Sequence, residues 1–154
     1  MHQNCYNMMK KFIEKYLTKK LYKVADVGSY DVNGTFKPLL EQWDYTGLDI
    51  EDGPNVDVVI EPYYFGEEQY DVVVSGNCME HVEDLVQWAD AIKDIVKSDG
   101  ILMITTPFDI HEHKHPIDCW RVMPDGMRFL FKDMEIIECG MEGIDTYLIA
   151  KHGN

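Results

Sequence analysis

Three histidines alternate in "FDIHEHKHPIDCWR", residues 108–121, where His111, His113 and His115 precede Asp118, Cys119, Trp120 and Arg121. Imidazoles exchange protons near neutral pH and ligate transition metals, so the stretch offers general-base or metal chemistry. Three ligands crowded into one short loop do not match the paired spacing of structural zinc, and no metal is expected here. A flap that grips a substrate through histidine, Asp118, Trp120 and Arg121 accounts better for the residue types. The plainer alternative makes Trp120 a core residue and lets Asp118 pair with Arg121 to shape the loop. Another histidine, His81 in "MEHVED", is either a base or a residue that packs the start of the helix after it.

A second stretch with chemical potential is "DVGSYDVNG", residues 26–34. A dinucleotide loop needs G-x-G-x-x-G so that its backbone can approach a pyrophosphate. Only Gly28 and Gly34 remain here, with Tyr30 and Val32 between them. Such a turn suits a ligand without phosphate, which disfavours an NAD-dependent oxidoreductase. Asp49, in "GLDI", lies 21 positions beyond Gly28, where a carboxylate can accept hydrogen bonds from a ribose diol. Loop and carboxylate together point to an adenosine-type ligand.

The elements that must position these groups follow from periodicity. Cys5, Met8, Met9, Phe12, Ile13, Tyr16 and Leu17 recur at helical spacing among lysines, predicting an amphipathic N-terminal helix within residues 1–21. "YKVADVG", "DYTGLDI", "VDVVI", "YDVVVSG" and "GILMITTP" are apolar, largely β-branched runs expected to be strands. "TFKPLLEQW" predicts a short helix, and "EDLVQWADAIKDIVK" a longer one with Leu85, Trp88, Ala89, Ile92, Ile95 and Val96 on one face and a cap at Gly100. "PDGMRFLF" reads as a helix opened by Pro124, and "MEIIECGMEGIDTYLIAKHG" as a hairpin. Continuous apolar strands alternating with helices imply a Rossmann-like, doubly wound, mostly parallel α/β/α sheet with a C-terminal antiparallel hairpin strand. Only "EDGPN" separates Ile50 from Val56, too little for a crossover helix, so the helices on that half are trimmed. The N-terminal helix or a second copy in a homodimer must cover the face left open.

Composition narrows the classes. The chain has 154 residues, room for one domain over 1–154 with residues 108–123 as a substrate-side loop. Its net charge is −14, yet six of its fourteen basic residues lie in the first 23 positions, opposed only by Glu14. The remaining surface repels a phosphate backbone, which excludes nucleic acid as a partner. No apolar run is long enough to span a membrane, and no secretion signal is evident. Four cysteines without paired spacing read as free thiols in a reducing cytoplasm.

In order, "VADVGSYDVNG", "YTGLDI", "VDVVIEP", "YDVVVSGNCMEHVED" and "VKSDGILMITTP" resemble the successive motifs of class I S-adenosylmethionine-dependent methyltransferases. The resemblance covers residues 22–107, and the closing hairpin matches the family's last two strands. It implies S-adenosylmethionine as cofactor and S-adenosylhomocysteine as product. Asp26, Gly28, Ser29, Tyr30, Asn33 and Gly34 would wrap the methionine moiety, and Asp49 with Ile50 would hold the ribose. Glu61 would face the adenine amino group, and Asn77 and Cys78 would line the floor beside the sulfonium. The missing glycines at 30 and 32, and Glu rather than Asp at 61, depart from the family pattern. "HKHPIDCWRVMPDGMRFLF" is also similar to a stretch with an H-x-P-x-D-x-W-R pattern in some bacterial class I methyltransferases. By that likeness His115, Asp118, Trp120 and Arg121 contact the acceptor; the catalytic candidates are His115 and, from its place after the fourth strand, His81. The function implied is in-line methyl transfer to a small-molecule or glycan-type acceptor. The alternative is a non-catalytic S-adenosylmethionine-binding partner or sensor domain.

Overall fold

The computed structural model describes residues 2–153. Its elements run α1 (Gln3–Tyr16), β1 (Lys23–Val27), α2 (Lys37–Leu40), β2 (Asp44–Asp49), β3 (Val58–Val59), β4 (Tyr70–Gly76), a 3₁₀ turn (Met79–His81), α3 (Leu85–Asp94), β5 (Val96–Pro107), α4 (Pro124–Leu130), β6 (Met134–Glu142) and β7 (Asp145–His152). The strands form one seven-stranded sheet in the order β3-β2-β1-β4-β5-β7-β6. β1 to β5 are parallel, and β7 inserts antiparallel between β5 and its hairpin partner β6. This is the doubly wound sheet expected from the strand pattern. Its order reverses between β1 and β4, and in such sheets that reversal opens the ligand crevice at the carboxyl ends of the strands.

Alternation along each strand divides the core in two. Val73, Leu102 and Ile104 face Trp88, Ile92 and Ile95 of the α3 segment and Met127 and Phe131 of the α4 segment. Val72, Val74, Ile101 and Met103 face Cys5, Met8, Met9 and Phe12 of α1, with Phe36 and Leu40 of the α2 segment beside them. α1 thus covers one face of the sheet, each large apolar side chain it buries being worth about 1.5–3 kcal/mol, while Val58 and Val59 at the trimmed edge stay exposed. Its N-terminus is tied down by Asn4, whose amide donates to Glu142 O at 2.7 Å and to Asp145 Oδ2 at 2.9 Å.

Three local expectations need correction. "VDVVI" gives only the two-residue strand Val58–Val59, whose side chains are 46% and 54% exposed because it lies at the edge of the sheet. Gly100 does not cap α3; the helix stops at Asp94 and the chain enters β5 at Val96, through a register shift against β4 between Tyr70 and Val72. Ile95 and Val96 thus bury their side chains from the helix exit and the strand start rather than from a helical face. α1 also ends at Tyr16, short of residue 21, with Leu17 as its C-cap. Residues 108–123 contain neither helix nor strand, as their composition predicts.

Candidate active site

The turn after β1 is shaped by its glycine. Gly28 has φ +81°, and a Cβ there would stand 2.6 Å from Cys78 Sγ. The ends of β1 and β4 thus meet at closest approach where the strand order reverses. Gly28 N and Ser29 N both donate to Leu48 O, at 2.8 and 3.1 Å, bending the loop over the end of β2. Asp49 receives it there: its Oδ2 accepts from Tyr30 N at 3.0 Å and its Oδ1 from Glu51 N at 3.2 Å. Each carboxylate oxygen keeps a further lone pair, so ribose hydroxyls can still be accepted. The Tyr30 ring packs on the turn after β2, where a Cβ on Gly53 would lie 2.2 Å from a ring carbon.

A polar network missed by sequence reasoning holds this loop from behind. Asn55, itself at φ +66°, donates to Ser29 O and to the Tyr45 hydroxyl, which donates to Asp26 Oδ2 at 2.7 Å. Asp26 is buried, and burial pushes its carboxyl up to about 7. Asp26 therefore serves the interior of the loop through Tyr45. Burial likewise pushes the Cys78 thiol up. Asn33 and Ile50 are exposed, Gly34 closes a turn onto Asp31 Oδ1, and Glu61 is exposed in a bridge with Tyr64. Asn77 adopts φ +53° with its N–H on Thr105 O. Two buried oxygens at these strand ends, Ser29 Oγ and Asn77 Oδ1, have no hydrogen-bond partner, although buried polar groups are normally paired. Polar, unsatisfied strand ends around a half-buried carboxylate fit an amino-acid-bearing nucleoside.

The histidine-rich loop folds back onto the 3₁₀ turn after β4. Glu80 O accepts from Cys119 N at 2.8 Å and Trp120 N at 3.3 Å, and Val82 O accepts from the Trp120 indole N–H at 2.8 Å. His81 Nδ1 lies 2.6 Å from Ile117 O. Arg121 and Asp118 form a bidentate pair at 2.7 and 2.8 Å, and the guanidinium also reaches the carbonyls of Ile110, His111 and Trp120. The Asp118 side chain is only 2% exposed, and the Arg121 guanidinium holds it well below the usual carboxylate range. The pair thus shapes the loop, while Trp120, 41% exposed, is not a core residue. Trp120 borders an open cleft of about 850 Å³ whose lining includes Tyr63, Leu85, Val86, Met123 and Phe129. The His115 side of the loop is exposed, its ring centroid 6.3 Å from that of His81.

The side chain that the sequence did not single out is Glu80. It is fully buried, and burial pushes its carboxyl up to about 8. Its Oε2 has no hydrogen-bond partner and faces His81 Nε2 at 3.8 Å and His113 Nε2 at 3.7 Å. Burial lowers the pKa of His81. A carboxylate between Met79 and His81 was the available signal, but only the fold brings His113 to it.

The family model described as a methyltransferase domain matches residues 3–135. No curated protein matches the chain in sequence. Among solved structures, an S-adenosylmethionine-dependent methyltransferase from Clostridium acetobutylicum superposes with a TM-score of 0.72 at 8% identity, covering 100% of this chain and 93% of that one. The Burkholderia thailandensis 1,6-didemethyltoxoflavin-N1-methyltransferase, solved with 1,6-didemethyltoxoflavin and S-adenosylhomocysteine, gives 0.75 at 11%, covering 99% and 78%. A glycopeptide N-methyltransferase complexed with S-adenosylmethionine gives 0.69 at 10%, covering 97% and 94%. At such identities these likenesses speak for the fold, whereas the family model spans most of the chain and includes the β1 turn, the β2 carboxylate and the β4 turn. This chain belongs to the methyltransferase-domain family.

Proposed function

We propose that the protein transfers a methyl group from S-adenosylmethionine to a small-molecule or glycan-type acceptor. The observation that carries this reading is the half-buried Asp49 carboxylate at the end of β2, which fastens the turn after Gly28 through Tyr30 N and keeps lone pairs for a ribose diol. When bound, the cofactor supplies a methyl group activated on a sulfonium. Gly28, Ser29, Tyr30, Asn33 and Gly34 hold its amino-acid end, with Asp26 bracing that loop from behind, Asp49 with Ile50 holds the ribose, and Glu61 the adenine amine. Asn77 and Cys78 form the floor beside the sulfur. The protein's own work is alignment, together with removal of the acceptor's proton.

On the acceptor side, Trp120 offers an exposed aromatic face, fixed by its indole hydrogen bond, for a planar ring or a sugar to lie against. Asp118 and Arg121 act by holding that loop in place. His115 is the histidine we assign to take the proton. Both nitrogens of His81, the other candidate, already face protein groups, Ile117 O and Glu80 Oε2. The free thiols and acidic surface suit a cytoplasmic setting. Among the described residues, no helix is long and apolar enough to cross a membrane.

Calorimetric titration with S-adenosylhomocysteine and, separately, NAD tests the cofactor. Micromolar binding of the former, weakened about tenfold or more in Asp49→Ala by loss of one charge-assisted hydrogen bond, is the expected result. Absence of binding at high micromolar concentration, or preference for NAD, refutes the reading. Methyl-transfer assays over a panel of acceptors then separate an enzyme from a binder. His115→Ala must lose turnover while keeping its affinity for S-adenosylhomocysteine.

A further inference from the structure

We propose that Glu80, His81 and His113 form a binding site for one divalent transition-metal cation of the zinc class. The three donor atoms, Glu80 Oε2 and the Nε2 atoms of the two histidines, all lie within 4.8 Å of one another. At 3.7 and 3.8 Å, the nitrogen-to-carboxylate separations are too long for hydrogen bonds, which close at about 2.7–3.2 Å. They are close to the edge of a tetrahedral site, about 3.3 Å for metal bonds of about 2.0–2.1 Å, so a small contraction brings all three onto one ion.

The tautomers point the same way. Ile117 O, 2.6 Å from His81 Nδ1, can only accept a hydrogen bond, so that nitrogen carries the proton. The His113 ring, whose Nδ1 makes no hydrogen bond and lies 3.3 Å from Asp118 Oδ2, can present an Nε2 lone pair in the same way. Two Nε2 lone pairs are then aimed at an oxygen of a fully buried carboxylate that has no hydrogen-bond partner. Three electron-rich atoms facing one another repel unless a proton or a metal cation lies between them, and separations of 3.7 and 3.8 Å are long for a shared proton. The Ile117 carbonyl behind the His81 imidazole is an outer-shell partner of the kind that orients a histidine ligand and raises its basicity.

The scaffold holds the ligands in register, since Cys119 N and Trp120 N clamp the histidine loop onto Glu80 O. Two imidazoles and one carboxylate favour zinc, iron or manganese over magnesium or calcium, which prefer all-oxygen shells. Three protein donors leave a coordination position for water or an acceptor oxygen, the pattern of catalytic rather than structural metal sites. The ion would lie one loop away from the cleft bordered by Trp120, whose indole is fixed to Val82 O.

The test needs neither cofactor nor acceptor, so its outcome is independent of methyl transfer. The untagged, chelator-stripped full chain is titrated calorimetrically with Zn²⁺ and with Mg²⁺, and the visible d–d bands of Co²⁺ are followed in parallel. One Zn²⁺ per chain is expected, with Mg²⁺ much weaker. Glu80→Gln and His113→Asn should each weaken Zn²⁺ by about tenfold or more and abolish the Co²⁺ bands, while His111→Ala leaves the affinity unchanged. Circular dichroism checks the folding of both ligand variants. Should Glu80→Gln fail to fold, His113→Asn, on the partly exposed loop, decides alone. No Zn²⁺ or Co²⁺ binding up to millimolar concentration, or binding that survives the ligand substitutions, overturns the proposal.

Discussion

Gly28→Ala probes the contact on which the strand-end crevice depends. An alanine at φ +81° costs about 1–2 kcal/mol in backbone strain alone. Its Cβ would stand 2.6 Å from Cys78 Sγ and 2.7 Å from Cys78 Cβ, against an ordinary carbon contact of about 3.5–4.0 Å. Roughly 1 Å must therefore open between the ends of β1 and β4, and overpacking of that kind costs about 1–3 kcal/mol. The two contributions give about 2–5 kcal/mol, a large part of a typical domain stability of about 5–15 kcal/mol. For a chain of this length the melting temperature should fall by about 2–4 °C for each kcal/mol. Urea unfolding of wild type, Gly28→Ala, Cys78→Gly and the double variant reads both parts. Removing both the sulfur and the Cβ relieves the clash and leaves the dihedral strain, so the double variant should be more stable than additivity predicts by about 1 kcal/mol. A loss below about 0.5 kcal/mol for Gly28→Ala, or strictly additive substitutions, would refute the close approach.

Asp26, raised to about 7 by burial, stabilises the fold in its protonated form. Its contribution is full below about pH 4, the unfolded pKa, and is lost as pH rises through about 7, each unit of that rise being worth about 1.4 kcal/mol. Urea unfolding of Asp26→Asn between those limits should therefore lose less stability with rising pH than wild type does; identical slopes would reject the assignment. Arg121→Ala removes the bidentate partner of Asp118 and uncovers its carboxylate to solvent, and we expect a loss of about 1 kcal/mol. Faster proteolysis within residues 108–123 should accompany it, and an unchanged cleavage rate would count against the pair as the loop's clasp. Asn4→Ala removes the donor to Asp145 Oδ2 and Glu142 O and should cost about 1–3 kcal/mol in urea unfolding; a neutral result would mean that α1 is held by its apolar face alone.

Periodicity along the chain determined most of the elements. The helical stripe Cys5, Met8, Met9 and Phe12, the β-branched runs of β1, β2 and β4, and the hairpin of β6 and β7 each follow from a few neighbouring residues. The turn at Gly28 and the carboxylate at Asp49 were legible for the same reason, since a strand end fixes what can follow it. Tertiary structure decided whatever depends on a neighbour distant in sequence. Val58 and Val59 have strand character but lie exposed at an edge, and β5 begins before Gly100 because β4 takes up its register shift. The cover on the second face proved to be α1. The same limit hid the acidic member of the histidine cluster. Residue types place Glu80 and His81 on one turn and His113 on a remote loop, and neither segment alone shows that the carboxylate is buried. Only the backbone clamp of Cys119 and Trp120 onto Glu80 excludes water from it and sets two imidazoles against one carboxylate oxygen.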